Sequence, residues 1–159
     1  SRHAQLTRTD TNVQGLINEL VDDFFSRDRN RIRLELPDTE LRANVDEARI
    51  TLLLKNLIAN ALRYSRPDDG PVIVSAAVRE NELVLGVRDY GPGLSEDQAA
   101  HIGEPFYRSD KSRARESGGT GLGLYLANLV ATAHGGSLEL RDTGQSGAAF
   151  EARIPLTMS

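Results

Sequence analysis

Apolar and polar residues follow the two periods expected of helices and strands along most of the chain. From Val13 to Phe24 the apolar positions recur every three or four residues, which predicts an amphipathic helix. Thr11 and Gln14, three residues apart at its start, are predicted to form a capping box. Two further helices are predicted, over residues 46–64 and 120–134.

The other regular segments alternate between apolar and polar residues or are continuously apolar, which is typical of strands. Five strands are predicted in this way, over residues 32–36, 71–78, 81–89, 137–142 and 148–155. Because the helices interrupt runs of strands without a regular βαβ order, the sequence predicts the α+β class. We expect a two-layer α/β sandwich with a mixed, mostly antiparallel sheet and helices on one face.

Two stretches lack a periodic pattern. Residues 1–9 are polar and are predicted to be a tail or the remnant of an upstream segment, which leaves one domain over residues 10–157. Residues 90–119 contain no convincing helix or strand, and compact domains tolerate connections of that length mainly as lids or binding loops. This loop joins the end of a strand to the start of a helix, so we expect the chemistry there.

Composition narrows the possible functions. The 159 residues fit one domain, and a net charge of -4 argues against nucleic-acid binding, which needs a basic surface. The absence of cysteine excludes disulfides, thiolate nucleophiles and cysteine-based metal sites. No apolar run approaches the ~20 residues of a membrane-spanning helix. His3, His101 and His134 have no partner at metal-ligand spacing and are predicted to be structural or incidental.

Asp89 is the first candidate functional residue. In a strand over 81–89, alternation puts its carboxylate on the same face as three apolar side chains. A carboxylate directed at an apolar layer is unfavourable unless a partner meets it. Alternatively, the strand ends one residue earlier and Asp89 only starts the following turn. Gly91 and Gly93 in that turn leave room for a ligand against the backbone.

Four polar residues at helical spacing share one face of the predicted helix 46–64. They are Asn56, Asn60, Arg63 and Tyr64. Amide oxygens are hard, neutral ligands that suit Mg²⁺, and an arginine one turn away can donate charge-assisted hydrogen bonds to phosphate. The alternative is a solvated helix face with nothing bound.

A glycine-rich segment leads directly into the predicted third helix. Its residues are Gly119, Thr120, Gly121, Leu122, Gly123 and Leu124. Backbone N–H groups and the positive end of a helix dipole make such a segment a natural phosphate-binding site. The spacing matches neither a Walker A loop nor a dinucleotide-binding fingerprint. The alternative is a flexible linker.

The loop before this segment combines aromatic and cationic residues. An aromatic pair, Phe106 and Tyr107, is followed by four cations, Arg108, Lys111, Arg113 and Arg115. One interpretation is a lid that is anchored by the aromatic rings and contacts a triphosphate through its cations. The alternative is a charged loop that is simply solvated.

Taken in order, four segments resemble the ATP-binding catalytic domain of sensor histidine kinases, a branch of the GHKL superfamily with the Bergerat fold. Residues 56–64 are similar to the N box of that family and residues 89–93 to its G1 box. Residues 104–108 are similar to its F box and residues 119–124 to its G2 box. Each box is weak alone, but four in this order with family-like separations are a strong signal, and the resemblance spans about residues 10–155, nearly the whole chain.

The resemblance implies ATP and Mg²⁺ as cofactors. Asn60 would coordinate the metal, and Asn56, implied to be catalytic, would support the metal–phosphate shell. Arg63 would contact phosphate, and Tyr64 would lie near the adenine or the ribose. Asp89 would accept a hydrogen bond from the adenine amino group, which supplies the partner that strand alternation requires.

The resemblance also assigns the remaining boxes. Gly91 and Gly93 would line the nucleotide, and residues 94–118 would form the ATP lid. Phe106 would contribute to nucleotide binding, and Arg108, implied to be catalytic, would reach the γ-phosphate. The glycine-rich segment 119–124 would surround the phosphates.

The implied enzyme is a protein-histidine kinase that transfers the γ-phosphoryl group of ATP to a histidine, as part of two-component signal transduction. His3 is followed by Ala4, Gln5 and Leu6 and does not match the acceptor pattern His-Glu/Asp-x-x-x-Pro, so we expect the acceptor on a separate domain.

The implied partners are ATP or ADP, the dimerisation and histidine-phosphotransfer domain of the same kinase, and a cognate response regulator. The chain itself is expected to be monomeric, on the cytoplasmic side of a parent protein anchored in the bacterial inner membrane. Two alternatives are a nucleotide-sensing scaffold domain without phosphoryl transfer and another GHKL ATPase or serine kinase.

Overall fold

The computed structural model describes residues 5–93, 123–142 and 147–156. The α-helices in this part of the chain are α1 (Val13–Phe24), α2 (Glu47–Tyr64) and α3 (Gly123–Ala133). Two short 3₁₀ helices, η1 (Ser26–Arg31) and η2 (Pro67–Asp69), follow the first two of them. In these three described ranges, no helix is both long and apolar enough to cross a membrane.

The strands form two separate sheets. They are β1 (Thr9–Asn12), β2 (Ile32–Glu35), β3 (Arg42–Val45), β4 (Val72–Arg79), β5 (Glu82–Asp89), β6 (Ser137–Asp142) and β7 (Ala148–Pro155). The main sheet has the order β2-β4-β5-β7-β6, in which β2 and β4 are parallel and the other neighbours antiparallel. The predicted α+β class, with a mixed and mostly antiparallel sheet, is confirmed.

The helices cover one face of the main sheet because alternate strand positions there are apolar. Leu83 and Leu85 of β5 are fully buried, as is Leu53 of α2, and all three belong to one hydrophobic core. The opposite face carries charged side chains, such as Arg153, whose Nη1 lies 3.1 Å from Oε1 of Glu82. The pattern of apolar and polar positions therefore determines which face receives the helices.

The predicted capping box at the start of α1 is wrong. Asn12 is the N-cap, and its Oδ1 accepts a hydrogen bond from the Gly15 amide at 3.0 Å. The Gln14 side chain instead donates to the carbonyl of Thr39 at 2.7 Å and accepts from the Leu41 amide at 2.8 Å. Gln14 thus holds the chain before β3 against α1, a tertiary contact that local spacing does not reveal.

Strands β1 and β3 were not predicted. They pair antiparallel with each other, with Thr9 opposite Val45, and each has only four residues. β1 consists of polar residues only, and the apolar positions of β3 are limited to Ala43 and Val45, so neither strand gives a clear alternating signal. β1 begins at Thr9, within the segment 1–9 that the sequence predicts as a tail. The limits of the domain, residues 10–157, stay a prediction.

The N-terminal segment is also bonded to the start of α2. The backbone N–H of Thr7 donates to Oδ2 of Asp46 at 2.8 Å, and Arg8 donates through Nη1 to the carbonyl of Asn44 at 3.1 Å. Asp46 is the N-cap of α2, and its Oδ1 accepts from the Arg49 amide at 3.1 Å. The chain before β1 therefore lies against the helix that carries the predicted polar face.

Candidate functional site

The predicted polar face of α2 is present along its last three turns. The side chains of Asn56, Asn60 and Tyr64 are half-buried, and Arg63 is exposed. The other side of α2 is buried in the core, because Leu53, Leu57 and Ile58 lie at the positions that face the sheet. The polar residues are thereby left on a partly accessible surface.

Asn56 meets the beginning of α3. Its Nδ2 donates to the carbonyl of Leu52 at 2.8 Å, which leaves Oδ1 directed toward Gly123. A Cβ atom added to Gly123 would lie only 3.2 Å from that oxygen. The structure therefore brings a residue of the predicted N box into contact with the end of the predicted glycine-rich segment.

Asp89 is the last residue of β5, and only 5% of it is exposed. This confirms the burial that strand alternation predicts. The alternative, in which the strand ends one residue earlier, is wrong. Asp89 does begin the following turn, because its Oδ1 accepts a hydrogen bond from the Gly91 amide at 2.9 Å. A carboxylate offers about four acceptor positions, so this bond leaves capacity to accept from a ligand.

Burial raises the pKa of the Asp89 carboxyl group, while hydrogen bonds from the backbone amides of Gly91 and Ala148 oppose that rise. The cause is the loss of water around the charged form. A buried carboxylate at the end of a strand favours a ligand that brings its own hydrogen-bond donor.

Gly91 sits directly on the C-terminal end of α2. A Cβ atom at this position would overlap the carbonyl oxygen of Tyr64 and would lie 3.1 Å from the Cα of Ser65. Gly93 has a φ of +81°, a left-handed conformation that favours glycine. At Gly91 the turn after β5 therefore approaches the C-terminal end of α2 too closely to leave room for a side chain.

The structure thus brings together residues of the predicted N box, the predicted G1 box and the end of the predicted G2 box. Leu124 is partly buried against the core, and its predicted role in nucleotide binding stays a prediction. The predicted lid, residues 94–118, lies outside the described residues. So do the predicted site residues Phe106, Arg108, Gly119, Thr120, Gly121 and Leu122.

Two residues next to the site were missed by the sequence analysis. Arg31 donates through Nη1 to the carbonyl of Leu62 at 3.3 Å and through Nη2 to Oγ of Ser65 at 3.2 Å. These contacts join residues more than thirty positions apart, and neither residue lies in one of the four motifs. No local pattern could have identified them.

The described residues contain no cluster of three or more His, Cys, Asp and Glu side chains that could hold a metal ion. The amide oxygen of Asn60, the metal ligand that the family resemblance implies, would need further oxygens from a ligand or from water to complete a coordination shell. This donor set fits Mg²⁺, which commonly keeps water and substrate phosphates in its coordination shell.

Comparison with known proteins assigns most of the chain to the family that the sequence motifs resemble. A family model described as "Histidine kinase-, DNA gyrase B-, and HSP90-like ATPase" matches residues 45–158. The sensor histidine kinase WalK of Bacillus subtilis is 36% identical over 142 residues, which are 87% of this chain and 23% of that protein. The chain spans about a quarter of the length of the curated relatives it matches.

Solved structures agree with the fold. The histidine kinase AdeS of Acinetobacter baumannii matches with a TM-score of 0.75 and 25% identity, over 98% of this chain and 70% of that chain. The catalytic domain of the histidine kinase ThkA, in a nucleotide-free form, matches with a TM-score of 0.78 and 25% identity. That match covers 96% of this chain and 97% of the ThkA chain.

Proposed function

The chain belongs to the family of histidine kinase-, DNA gyrase B- and HSP90-like ATPases, and we propose that it is the ATP-binding catalytic domain of a sensor histidine kinase. In this proposal it binds Mg-ATP and donates the γ-phosphoryl group to a histidine on a separate dimerisation domain. The observation that supports it most directly is the buried Asp89 carboxylate, which bonds to Gly91 where the turn meets the C-terminal end of α2.

Asp89 selects adenine in this proposal. The exocyclic amino group of adenine is a hydrogen-bond donor and suits a carboxylate, whereas guanine has a carbonyl oxygen at the equivalent position. Because the carboxylate only accepts when ionised, the site discriminates by hydrogen-bond direction. The tight turn at Gly91 and Gly93 leaves the edge of the base free to approach the backbone.

The polar face of α2 binds the metal and the phosphates. Asn60 supplies an amide oxygen to Mg²⁺, Asn56 supports the same shell, and Arg63 donates to phosphate oxygens. Tyr64 lies near the adenine or the ribose. The bound Mg²⁺ would neutralise charge on the phosphates, and the residues of the chain would orient them.

The lid and the glycine-rich segment complete the site. Gly119, Thr120, Gly121 and Leu122 precede α3, so their backbone N–H groups would be available to the phosphates at its N-terminal side. Arg108 would contact the γ-phosphate, where charge is redistributed during transfer. Positioning and charge neutralisation are the main contributions that phosphoryl transfer requires from a protein.

The partners follow from the same proposal. The acceptor is the dimerisation and histidine-phosphotransfer domain of the parent kinase, and the phosphoryl group then passes to a cognate response regulator. The chain itself is monomeric, and the parent protein is anchored in the bacterial inner membrane with this domain on the cytoplasmic side.

The test mixes the chain with the dimerisation domain of its parent protein and γ-labelled ATP. We expect slow labelling of the dimerisation domain, because separation removes the effective concentration that a linker provides. The product should be acid-labile and base-stable, as a phosphoramidate is. The chain alone should stay unlabelled, because His3, His101 and His134 do not match the acceptor pattern.

Arg108→Ala serves as the variant in this assay. It should reduce transfer more than it reduces ADP binding, because its proposed contact is with the γ-phosphate. Tight ATP binding without any transfer to the supplied domain would instead support a nucleotide-sensing scaffold. Strong labelling of the isolated chain would contradict the expectation that the acceptor lies elsewhere.

A further inference from the structure

Arg31 closes the C-terminal end of α2 from a distant part of the chain. It is the last residue of η1, and its guanidinium donates to the carbonyl of Leu62 at 3.3 Å and to Oγ of Ser65 at 3.2 Å. The Ser65 hydroxyl in turn donates to the carbonyl of Ala61 at 2.7 Å. These bonds satisfy carbonyl groups that a helix end leaves without a partner in the helix.

The end of α2 is the surface on which the turn after β5 rests. Gly91 approaches Ser65 so closely that an added Cβ would lie 3.1 Å from its Cα and 3.2 Å from its Cβ. The Gly91 amide donates to Oδ1 of Asp89 at 2.9 Å. A continuous line of contacts therefore runs from Arg31 through Ser65 and Gly91 to the buried carboxylate.

The guanidinium of Arg31 is not fully paired. Its Nε is buried and has no hydrogen-bond partner among the residues that the structure describes. A buried donor without a partner lowers stability.

We propose that Arg31 is a positioning residue of the nucleotide site and acts through Ser65 on the turn of Asp89 and Gly91. The inference rests on the proposed function, because it concerns the same site. Arg31 lies outside residues 45–158, so the family model does not include it. By holding the last turn of α2 in place, it keeps the Asp89 carboxylate aligned for the adenine amino group.

The experiment compares Arg31→Met, which removes the guanidinium, with Arg31→Lys, which keeps a cation. Arg33→Met is the matched control, because Arg33 is 59% exposed and its Nη2 pairs with Glu35 at 3.1 Å. The backbone amide of Gly91 is followed by NMR on ¹⁵N-glycine-labelled protein, and ATP affinity is measured by calorimetry under conditions where every variant is folded.

We expect Arg31→Met to shift the Gly91 amide resonance and to weaken ATP binding by up to about tenfold, the effect of losing the hydrogen bond between the adenine amino group and a misaligned Asp89 carboxylate. Arg31→Lys should restore part of the affinity, and Arg33→Met should match the wild type in both measurements. A residue that only stabilised the fold would leave the affinity of the folded variant unchanged.

Either unchanged ATP affinity in the folded Arg31→Met variant or an unchanged Gly91 resonance would overturn the inference. If Arg31→Met does not fold, Ser65→Ala is used in its place, because this substitution removes the hydroxyl that accepts from Arg31. The Gly91 resonance and the ATP affinity of Ser65→Ala then test the inference in the same way. If the wild type itself does not bind ATP, the proposed nucleotide site is wrong. The Gly91 resonance still tests the line of contacts in that case, because it requires no nucleotide.

Discussion

Nε2 of His134 accepts a hydrogen bond from the backbone N–H of Asp46 at 3.1 Å, which joins the residue after α3 to the N-cap of α2. The other ring nitrogen, Nδ1, lies 2.9 Å from the carbonyl of Val130 and therefore carries the proton. Only 2% of His134 is exposed. Because a protonated ring could not accept from Asp46, this contact requires the neutral imidazole.

The first prediction is that this contact makes stability depend on pH. Burial lowers the pKa of His134 below its usual 6.5. The positive charges of Arg8 and Arg49 lower this pKa further, whereas the negative charge of Asp46 raises it. The unfolded chain takes up this proton as pH falls through about 6.5, so it binds more protons than the native state. The free energy of unfolding should therefore fall below that pH, by at most about 1.4 kcal/mol per pH unit for this group.

Urea unfolding between pH 8 and pH 5 measures the effect. His134→Gln should be less stable at pH 8 and should show a flatter dependence over this range. His3→Gln and His101→Gln remove the other two imidazoles and measure how much each contributes to the slope. A variant at position 134 with the full wild-type slope would show that another group is responsible.

The second prediction concerns Asp89→Asn. It should weaken ATP binding about tenfold or more, because the amide presents a donor where the adenine amino group needs an acceptor. The urea midpoint should not fall at neutral pH, since burial already disfavours the charged carboxylate. Calorimetry with ATP and GTP gives the affinities, with the exposed Asp38→Asn as control. Unchanged ATP affinity in Asp89→Asn would refute the adenine assignment.

The third prediction concerns the metal. Asn60→Ala should remove most of the dependence of ATP binding on Mg²⁺, while the helix content stays the same because alanine is the better helix former. Titrations with Mg²⁺ and with EDTA measure this dependence. Asn18→Ala makes the same change at an exposed position of α1 and should behave as the wild type. If the Mg²⁺ dependence survives in Asn60→Ala, the residue is not a ligand.

The fourth prediction tests the close contact between the turn after β5 and the C-terminal end of α2. Gly91→Ala should destabilise the protein by about 1–3 kcal/mol and weaken ATP binding, because its Cβ overlaps the Tyr64 carbonyl. Gly15→Ala, at an exposed position of α1, should change stability by less than about 1 kcal/mol, because the gain in helix propensity is opposed by a Cβ that lies 3.3 Å from Cγ of the Asn12 cap. Thermal unfolding and calorimetry compare the two, and wild-type behaviour of Gly91→Ala would contradict the close approach.

Several features of the site could be predicted because they depend on local periodicity. Alternation along β5 predicts that Asp89 is buried, and the 3.6-residue period of α2 predicts that Asn56 and Asn60 share a face. The structure confirms the burial and the shared face. Neither pattern predicts that Asn56 contacts Gly123, because that contact depends on how α2 and α3 pack.

The sequence by itself determined the elements with a buried face. The main strands and the three helices are long enough for burial to repeat along them, so their apolar positions predict both the element and its orientation. Only the tertiary structure decided the pairing of β1 with β3, the contact of Arg31 with Ser65, and that of His134 with Asp46. The contact of Arg31 with Ser65 joins residues 34 positions apart, and that of His134 with Asp46 joins residues 88 positions apart. Such contacts exist only after the core has packed, because the path of the whole chain brings their partners together.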